Sequence, residues 1–90
     1  MKQTNKELAA RFLSNADTEH VFWCNDGKVL TNMAELEAAL KTMSKETYEF
    51  HANKERNDFS NWTKDIFFDE TLAEKLRKAK DKSTAAKYIR

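Results

Sequence analysis

The chain has 90 residues, of which 40% are hydrophobic and 34% charged, and its formal net charge is +1. A chain of this length forms one domain, and this balance is typical of a folded protein with a heavily charged surface. The single cysteine, Cys24, excludes an internal disulfide framework and indicates a reducing compartment. Since no apolar run has the length of a signal peptide or a membrane span, we predict a cytoplasmic protein without membrane association.

Residues 4–14 are predicted to form an amphipathic helix, capped by Thr4 or Asn5 and ending near Asn15. Its apolar residues recur at i, i+1, i+4 and i+5 and therefore share one face: Leu8, Ala9, Phe12 and Leu13. Such a helix can bind a partner, but amphipathic helices usually face their own core, and we favour that interpretation. The predicted domain thus has an N-terminal helix in residues 1–18, followed by a hairpin and a helical core in residues 19–90.

A β-hairpin is predicted next, because residues 20–24 are rich in β-branched and aromatic side chains and residues 28–31 can pair with them. Asp26-Gly27 between them predicts a tight primed turn, which requires positive φ, and Gly27 is the only glycine in the chain. Alternation places Trp23 with Val21 on one face, opposite Phe22 and Cys24. A two-stranded hairpin is marginally stable by itself, so this one must pack on the helices.

Neither a metal site nor a catalytic cysteine is favoured in the hairpin. His20 and Cys24 are too few for zinc, which needs three or four protein ligands. Nothing in the local sequence indicates a lowered pKa for Cys24, so a nucleophile paired with His20 or His51 is a weak hypothesis. We therefore predict no metal, no cofactor and no enzymatic activity.

Capping residues predict the helices that follow. Asn32 and Glu35 have the spacing of a capping box. Further helices are predicted to begin at Ser44, at Asn57-Asp58, at Asp69 and at Ser83. Apolar residues recur at helical spacing behind these caps, as in Met33, Leu36, Leu40 and Met43. The predicted fold class is α+β and mostly helical, with an N-terminal helix, one hairpin and four to five short helices around a single core.

The stretch from His51 to Trp62 combines a histidine, three asparagines and two aromatic residues. We interpret its polar residues as scaffolding of a turn between two helices, because Asn tolerates tight turns and Asp suits a helix start. The residues of this structural motif are His51, Asn53, Asn57, Asp58 and Trp62. Two alternatives remain open, a partner-binding surface and a site in which Asp58 orients His51 as a base or joins it and Glu55 around a metal.

The pattern His-x-Asn-x3-Asn-Asp-Phe-x2-Trp, at His51 to Trp62, resembles a small domain family of unknown function from archaea and uncultured bacteria. The order of three further elements is also similar, a strand–Asp-Gly–strand at 22–30, a Leu-rich helix at 36–44 and an acidic cap with Leu-Ala at 69–73. The resemblance covers roughly residues 20–80. It implies a domain of this kind and no particular activity.

Charge is distributed unevenly along the chain. Residues 75–90 hold seven basic and one acidic residue, hence +6, whereas residues 1–74 hold nine basic and fourteen acidic residues, hence −5. Five cations are candidate interaction residues: Lys75, Arg77, Lys78, Lys80 and Lys82. On one continuous helix, Lys75, Lys78 and Lys82 would form a basic stripe.

Two functions are compatible with this sequence. The first hypothesis is a small non-enzymatic accessory module that binds a protein partner or self-associates. The alternative is a nucleic-acid-binding protein that uses the basic C-terminal helix, although no nucleic-acid-reading motif is present. An acidic protein partner fits the same cations equally well.

Overall fold

The computed structural model describes residues 14–89 and shows a mostly helical α+β fold. The predicted N-terminal helix lies outside the described residues, apart from Ser14, which is not helical. Residues 14–17 are irregular and lead into a single 3-10 turn, Thr18–His20. Two strands and five α-helices follow within the described part of the chain, in agreement with the predicted fold class.

The elements succeed one another with very short connections. A two-residue strand pair forms the hairpin, with Phe22 opposite Leu30 and Trp23 opposite Val29. The strands are β1 (Phe22–Trp23) and β2 (Val29–Leu30), and the helices are α1 (Met33–Thr42), α2 (Lys45–His51), α3 (Asp58–Phe67), α4 (Glu70–Lys78) and α5 (Lys82–Ile89). α3 packs along α4, and α1 packs along α5.

The helices begin where the sequence places capping side chains. Asn32, Ser44 and Asn57 accept hydrogen bonds from backbone N–H groups three residues further on, and so does Asp69. Each bond satisfies one of the free N–H groups of a first helical turn. The prediction that Ser83 caps the last helix is wrong. Asp81 takes this role, accepting from the N–H of Thr84 at 2.8 Å, since its carboxylate meets the positive end of the helix.

The hairpin loop differs from the predicted primed turn. The N–H of Gly27 donates to the carbonyl of Cys24 at 3.0 Å, and the N–H of Cys24 donates to the carbonyl of Lys28 at 2.9 Å, so the loop has three residues. Gly27 has a φ of +94°, but Asp26 does not have a positive φ. A two-residue primed turn would need both, so that assignment is wrong, whereas the requirement for glycine at position 27 is confirmed.

One cluster of buried hydrophobic side chains holds these elements together. The inner hairpin face contributes Phe22, Cys24 and Leu30, as alternation predicts, and Leu36 and Leu40 of α1 are fully buried behind it. The remaining helices complete the core with Tyr48, Phe59, Trp62, Leu76, Ala85, Ala86 and Ile89. The hairpin is therefore stabilised by packing on the helices.

Within residues 14–89, none of the helices combines the length and the apolar composition that a membrane-crossing segment would need.

Candidate interaction surface

His51, at the end of α2, is buried and connects three parts of the fold. Its Nδ1 lies 2.9 Å from a carboxylate oxygen of Asp58, the first residue of α3. Its Nε2 accepts a hydrogen bond from the backbone N–H of Asn25 in the hairpin loop, at 2.9 Å. Of the two residues of the following turn that His51 could bond, Asn57 and Asp58, it is Asp58 that lies against the ring, and nothing in the local sequence indicates the bond to Asn25.

These two bonds determine the chemical state of the imidazole. Since Nε2 accepts from an N–H group, it carries no proton. Nδ1 therefore carries the ring proton and donates a hydrogen bond to the carboxylate of Asp58. A general base needs an accessible nitrogen lone pair within reach of its substrate. In His51 that lone pair is directed at Asn25, so the geometry supports a structural role.

The turn between α2 and α3 is held by asparagine side chains. Asn53 accepts from the N–H groups of Glu55 and Arg56 through one oxygen and donates to the carbonyl of Glu49. The amide nitrogen of Asn57 donates to the carbonyl of Leu76 in α4 at 3.1 Å. Both side chains thus satisfy backbone groups that the turn would otherwise leave unpaired.

Trp62 ties the start of the hairpin to the core. Its indole ring is buried against Phe22, with ring centroids 5.5 Å apart. Its Nε1–H donates to the carbonyl of His20 at 2.7 Å, just before β1. A buried tryptophan usually needs such a partner for its N–H group, and here the partner fixes the strand.

His20 and Cys24, which were considered for catalysis or metal binding, lie in surroundings that do not favour either role. Burial raises the pKa of the Cys24 thiol, which keeps it in the unreactive protonated form. His20 is exposed and lies 3.8 Å from Asp17. No group of three or more His, Cys, Asp or Glu side chains in the described residues has the arrangement of a metal site.

The predicted basic stripe does not lie on one helix. α4 ends at Lys78 and α5 begins at Lys82, with Ala79 in extended conformation between them. Lys82 therefore belongs to a different helix from Lys75 and Lys78, and the continuous-helix prediction is wrong. The physical reason is Asp81, whose carboxylate accepts from the N–H of Thr84 and caps a new helix.

Part of the basic charge is compensated locally. Arg77 and Lys78 both form ion pairs with Glu74, and these contacts hold the pKa of the Glu74 carboxyl below its ordinary value. Lys75, Lys80 and Lys82 form no ion pair with any other described residue. The five candidate cations thus lie on two helices and the segment between them, and only some of them are uncompensated.

The outer face of the hairpin, formed by Trp23 and Val29, is uncovered. The two residues are cross-strand neighbours, and Trp23 is 73% exposed while Val29 is 41% exposed. Large aromatic side chains in a small protein usually supply core area, so an exposed tryptophan opposite an exposed valine is unusual. Alternation placed Trp23 opposite Phe22 and Cys24, and that pattern was the signal from which its exposure could have been inferred.

Phe50 and Arg56 lie next to His51, the residue that binds the hairpin loop. The Phe50 ring contacts the His51 ring at 4.9 Å between centroids, and His51 in turn binds Asn25. The guanidinium of Arg56 stacks 5.1 Å from the Phe50 ring centre and donates to the Phe50 carbonyl. We call the set Trp23, Val29, Phe50 and Arg56 the hairpin–α2 surface.

Phe68, at the junction of α3 and α4, is another exposed aromatic residue. It is 80% exposed and has a φ of +56°, a left-handed conformation that is costly for a bulky side chain. It borders an open hollow of about 520 Å³ that is also lined by Lys64, Asp65, Asp69, Glu70 and Thr71.

No protein-family model, no curated protein and no solved structure matches this chain. The resemblance noted for the His51–Trp62 stretch therefore stays a prediction.

Proposed function

We propose that the protein is a non-enzymatic interaction module that binds a protein partner through the hairpin–α2 surface. The observation that carries this proposal is the outer hairpin face, where Trp23 is 73% exposed opposite the exposed Val29. When a partner covers an exposed aromatic residue in such a position, a large apolar area is removed from water and much contact area is formed.

The fixed position of the hairpin supports this proposal. The inner face of the hairpin is buried in the core, the loop is bound to His51 through Asn25, and the strand entry is bound to Trp62 through His20. A surface held in place before binding loses less conformational freedom when a partner docks. The short strands therefore present Trp23 in a defined position.

The composition of the surface also supports partner binding. Tryptophan and arginine are enriched among the residues that contribute most to protein interfaces. Arg56 is held by the Phe50 ring and by Asp58, whose carboxylate lies 3.5 Å from its Nε. It is thus oriented beside an exposed aromatic ring.

The direct test is substitution of the exposed tryptophan. We expect Trp23→Ala to leave the unfolding midpoint nearly unchanged and to abolish the binding of partners captured by the parent protein. Each captured protein is purified and its affinity measured for parent and variant by calorimetry, and self-association is measured by sedimentation. Tyr88→Ala is the matched control, since Tyr88 is also an exposed aromatic residue but belongs to α5.

Equal affinities for the parent and Trp23→Ala would overturn the proposal for this surface. A loss shared equally by Tyr88→Ala would show that exposed aromatic residues bind unspecifically. We also propose a cytoplasmic location, which is supported by the free thiol of Cys24, and a single domain over residues 1–90.

A further inference from the structure

We propose that His51 is a pH-sensitive switch of the hairpin–α2 surface, which holds the hairpin loop in place while its ring is neutral and releases it when the ring gains a second proton. The inference rests on the proposed function, because it concerns the regulation of the same surface. His51 is buried, and histidine is the side chain whose charge ordinarily changes closest to neutral pH.

The first step is the position of the ring, which lies between the two parts of the surface. Its Nε2 accepts from the backbone N–H of Asn25, in the loop that follows β1, at 2.9 Å. Its ring contacts the ring of Phe50, with centroids 4.9 Å apart. The carboxylate of Asp58 lies 2.9 Å from its Nδ1 and 3.5 Å from the Nε of Arg56. The imidazole therefore connects the hairpin to the α2 side of the surface.

The second step is the proton balance of the bond to Asn25. Nε2 accepts there and has no proton, while Nδ1 carries the single ring proton. When Nε2 takes up a proton from solvent, the imidazole becomes a cation with two N–H donors, and its new N–H group faces the N–H of Asn25. Two donors form no hydrogen bond, so the backbone of Asn25 loses its acceptor.

The third step is the direction of the pH dependence. While the loop is bound, Nε2 must stay unprotonated, whereas after release of the loop Nε2 is free to bind a proton. The released state therefore binds more protons, so its population rises as the pH falls and decreases as the pH rises. Asn25 is exposed, so water can replace the partner that its N–H group loses.

The charged groups on α3 and in the turn before it change the pH of release but not its direction. Asp58 pairs with Nδ1 of His51 whether the loop is bound or released, because both residues lie outside the hairpin. Its carboxylate favours the imidazolium, and Arg56 beside it partly compensates that carboxylate. These effects are common to both states of the loop and cancel when the two are compared.

The hairpin groups near Asn25 keep one charge state over the relevant range of pH. Burial raises the pKa of the Cys24 thiol, which stays neutral. The backbone N–H of Lys28 lowers the pKa of the Asp26 carboxyl, which stays ionised. The ring neighbours of His51 on β1 and α3 are Phe22 and Phe59, which carry no charge. His51 is therefore the group whose titration breaks the loop contact.

Release of the loop is local. Phe22 and Leu30 remain in the core, and the carbonyl of His20 remains bound to Trp62, so the strands stay attached to the helices. The loop loses its tie to α2, and with it the fixed placement of the hairpin relative to Phe50. A partner that contacts both must then order the loop on binding and binds more weakly.

The test follows the amide proton of Asn25 by NMR hydrogen exchange in the full chain without a partner, between about pH 7.5 and about pH 5. Each exchange rate is divided by the intrinsic rate at the same pH, and the rings of His51 and His20 are titrated in the same samples. We expect the protection of Asn25 to fall by up to about tenfold per pH unit below the midpoint of His51. The amide of Cys24, which donates to Lys28 within the hairpin, should keep its protection.

Three variants separate the switch from a merely structural histidine. In His51→Gln the side-chain oxygen can accept from Asn25 but takes up no proton, so the protection of Asn25 should not depend on pH. His20→Gln is the matched control at an exposed histidine and should behave as the parent does. Asp58→Asn should move the midpoint to lower pH and keep the loss of protection, because the carboxylate no longer favours the imidazolium.

Constant protection of Asn25 while His51 titrates would overturn the inference, and so would a His51 ring that takes up no proton before the domain unfolds. Equal pH dependence in the parent and in His51→Gln would have the same meaning. Loss of protection at Cys24 together with Asn25 would show that the whole hairpin opens, which contradicts a local switch. If His51→Gln does not fold, the parent decides: the midpoints of His51 and Asn25 must coincide.

These measurements need no partner and are therefore separate from the test of the proposed function. A partner bound through the surface should lose affinity severalfold on acidification in the parent and not in His51→Gln, and an unchanged affinity with a released loop would overturn the regulatory role. If acid releases Asn25 but Trp23→Ala does not weaken partner binding, the switch holds and the proposed function fails. If Trp23→Ala abolishes binding while Asn25 stays protected, the reverse is true.

Discussion

Single residues connect elements that are distant in sequence, and His51 is the clearest case. One buried imidazole bonds the hairpin loop through Asn25 and the start of α3 through Asp58. Its ring also contacts the rings of Phe22 and Phe59, at 4.9 and 5.3 Å between centroids. The residue therefore combines packing with two satisfied hydrogen bonds, and these are the features that make a side chain hard to replace.

We expect His51→Ala to destabilise the fold by about 1–3 kcal/mol, because two hydrogen bonds are lost and the N–H of Asn25 is left without its partner. The free energy of unfolding from urea titration at constant pH measures this. Lys54→Ala, at an exposed position in the following turn, is the control and should change stability little. A variant His51→Ala as stable as the parent would contradict the structural role.

Phe68 is the second informative residue, because its side chain is exposed while its backbone is left-handed. Glycine at this position has no such steric cost and is the usual residue after a helix C-terminus. We expect Phe68→Gly to stabilise the protein by about 0.5–1 kcal/mol. Phe68→Ala keeps the β-carbon and should show no comparable gain. A loss of stability in Phe68→Gly, measured by thermal unfolding, would mean that the ring makes contacts that compensate for its backbone.

At the scale of elements, the hairpin depends on its loop. Gly27 has a φ of +94°, and an added β-carbon would meet no atom within 4 Å. A side chain at position 27 would therefore be destabilising because of the positive φ, and not because it would collide with other parts of the fold.

We expect Gly27→Val to destabilise the protein by about 1–3 kcal/mol, since a β-branched residue is strained at positive φ. Gly27→Asn should cost less, because asparagine tolerates positive φ better than most residues do. The comparison is made by chemical denaturation of both variants. Equal stability of Gly27→Val and the parent would show that this loop adopts another conformation.

At the scale of the whole molecule, the separation of charge along the chain is the property that bears on partners. The basic residues of the C-terminal part are distributed over α4, α5 and the segment between them, and Glu74 pairs with two of them. Such an arrangement attracts a polyanion less strongly than a continuous stripe would.

If nucleic acid is a partner, we expect weak, sequence-independent binding whose logarithm falls with the logarithm of salt concentration at a slope of about −2 to −3. Fluorescence anisotropy with labelled duplexes and single strands measures this. Lys75→Glu/Lys80→Glu/Lys82→Glu removes the three candidate cations without an ion-pair partner among the described residues, and it should abolish binding. Lys41→Glu/Lys45→Glu, on α1 and α2, is the control. A steeper slope or a sequence preference would contradict this expectation.

The amino-acid sequence by itself determined four of the helix starts and the two faces of the hairpin. The caps at Asn32, Ser44, Asn57 and Asp69 were readable because each satisfies N–H groups only three residues away. The inner and outer faces of the hairpin followed from alternation, and the short turn after α2 placed Asn57 and Asp58 within reach of His51.

Only the tertiary structure decided the remaining features. The bond from Asn25 to His51 joins residues that are 26 positions apart, and no local pattern encodes such a contact. The break between α4 and α5 separates Lys82 from the stripe, and buried residues on both sides of it, Leu76 in α4 and Ala85 and Ala86 in α5, pack in the same core. Trp23 is 73% exposed because the described helices pack on the inner hairpin face, and this too is a matter of long-range packing rather than local sequence.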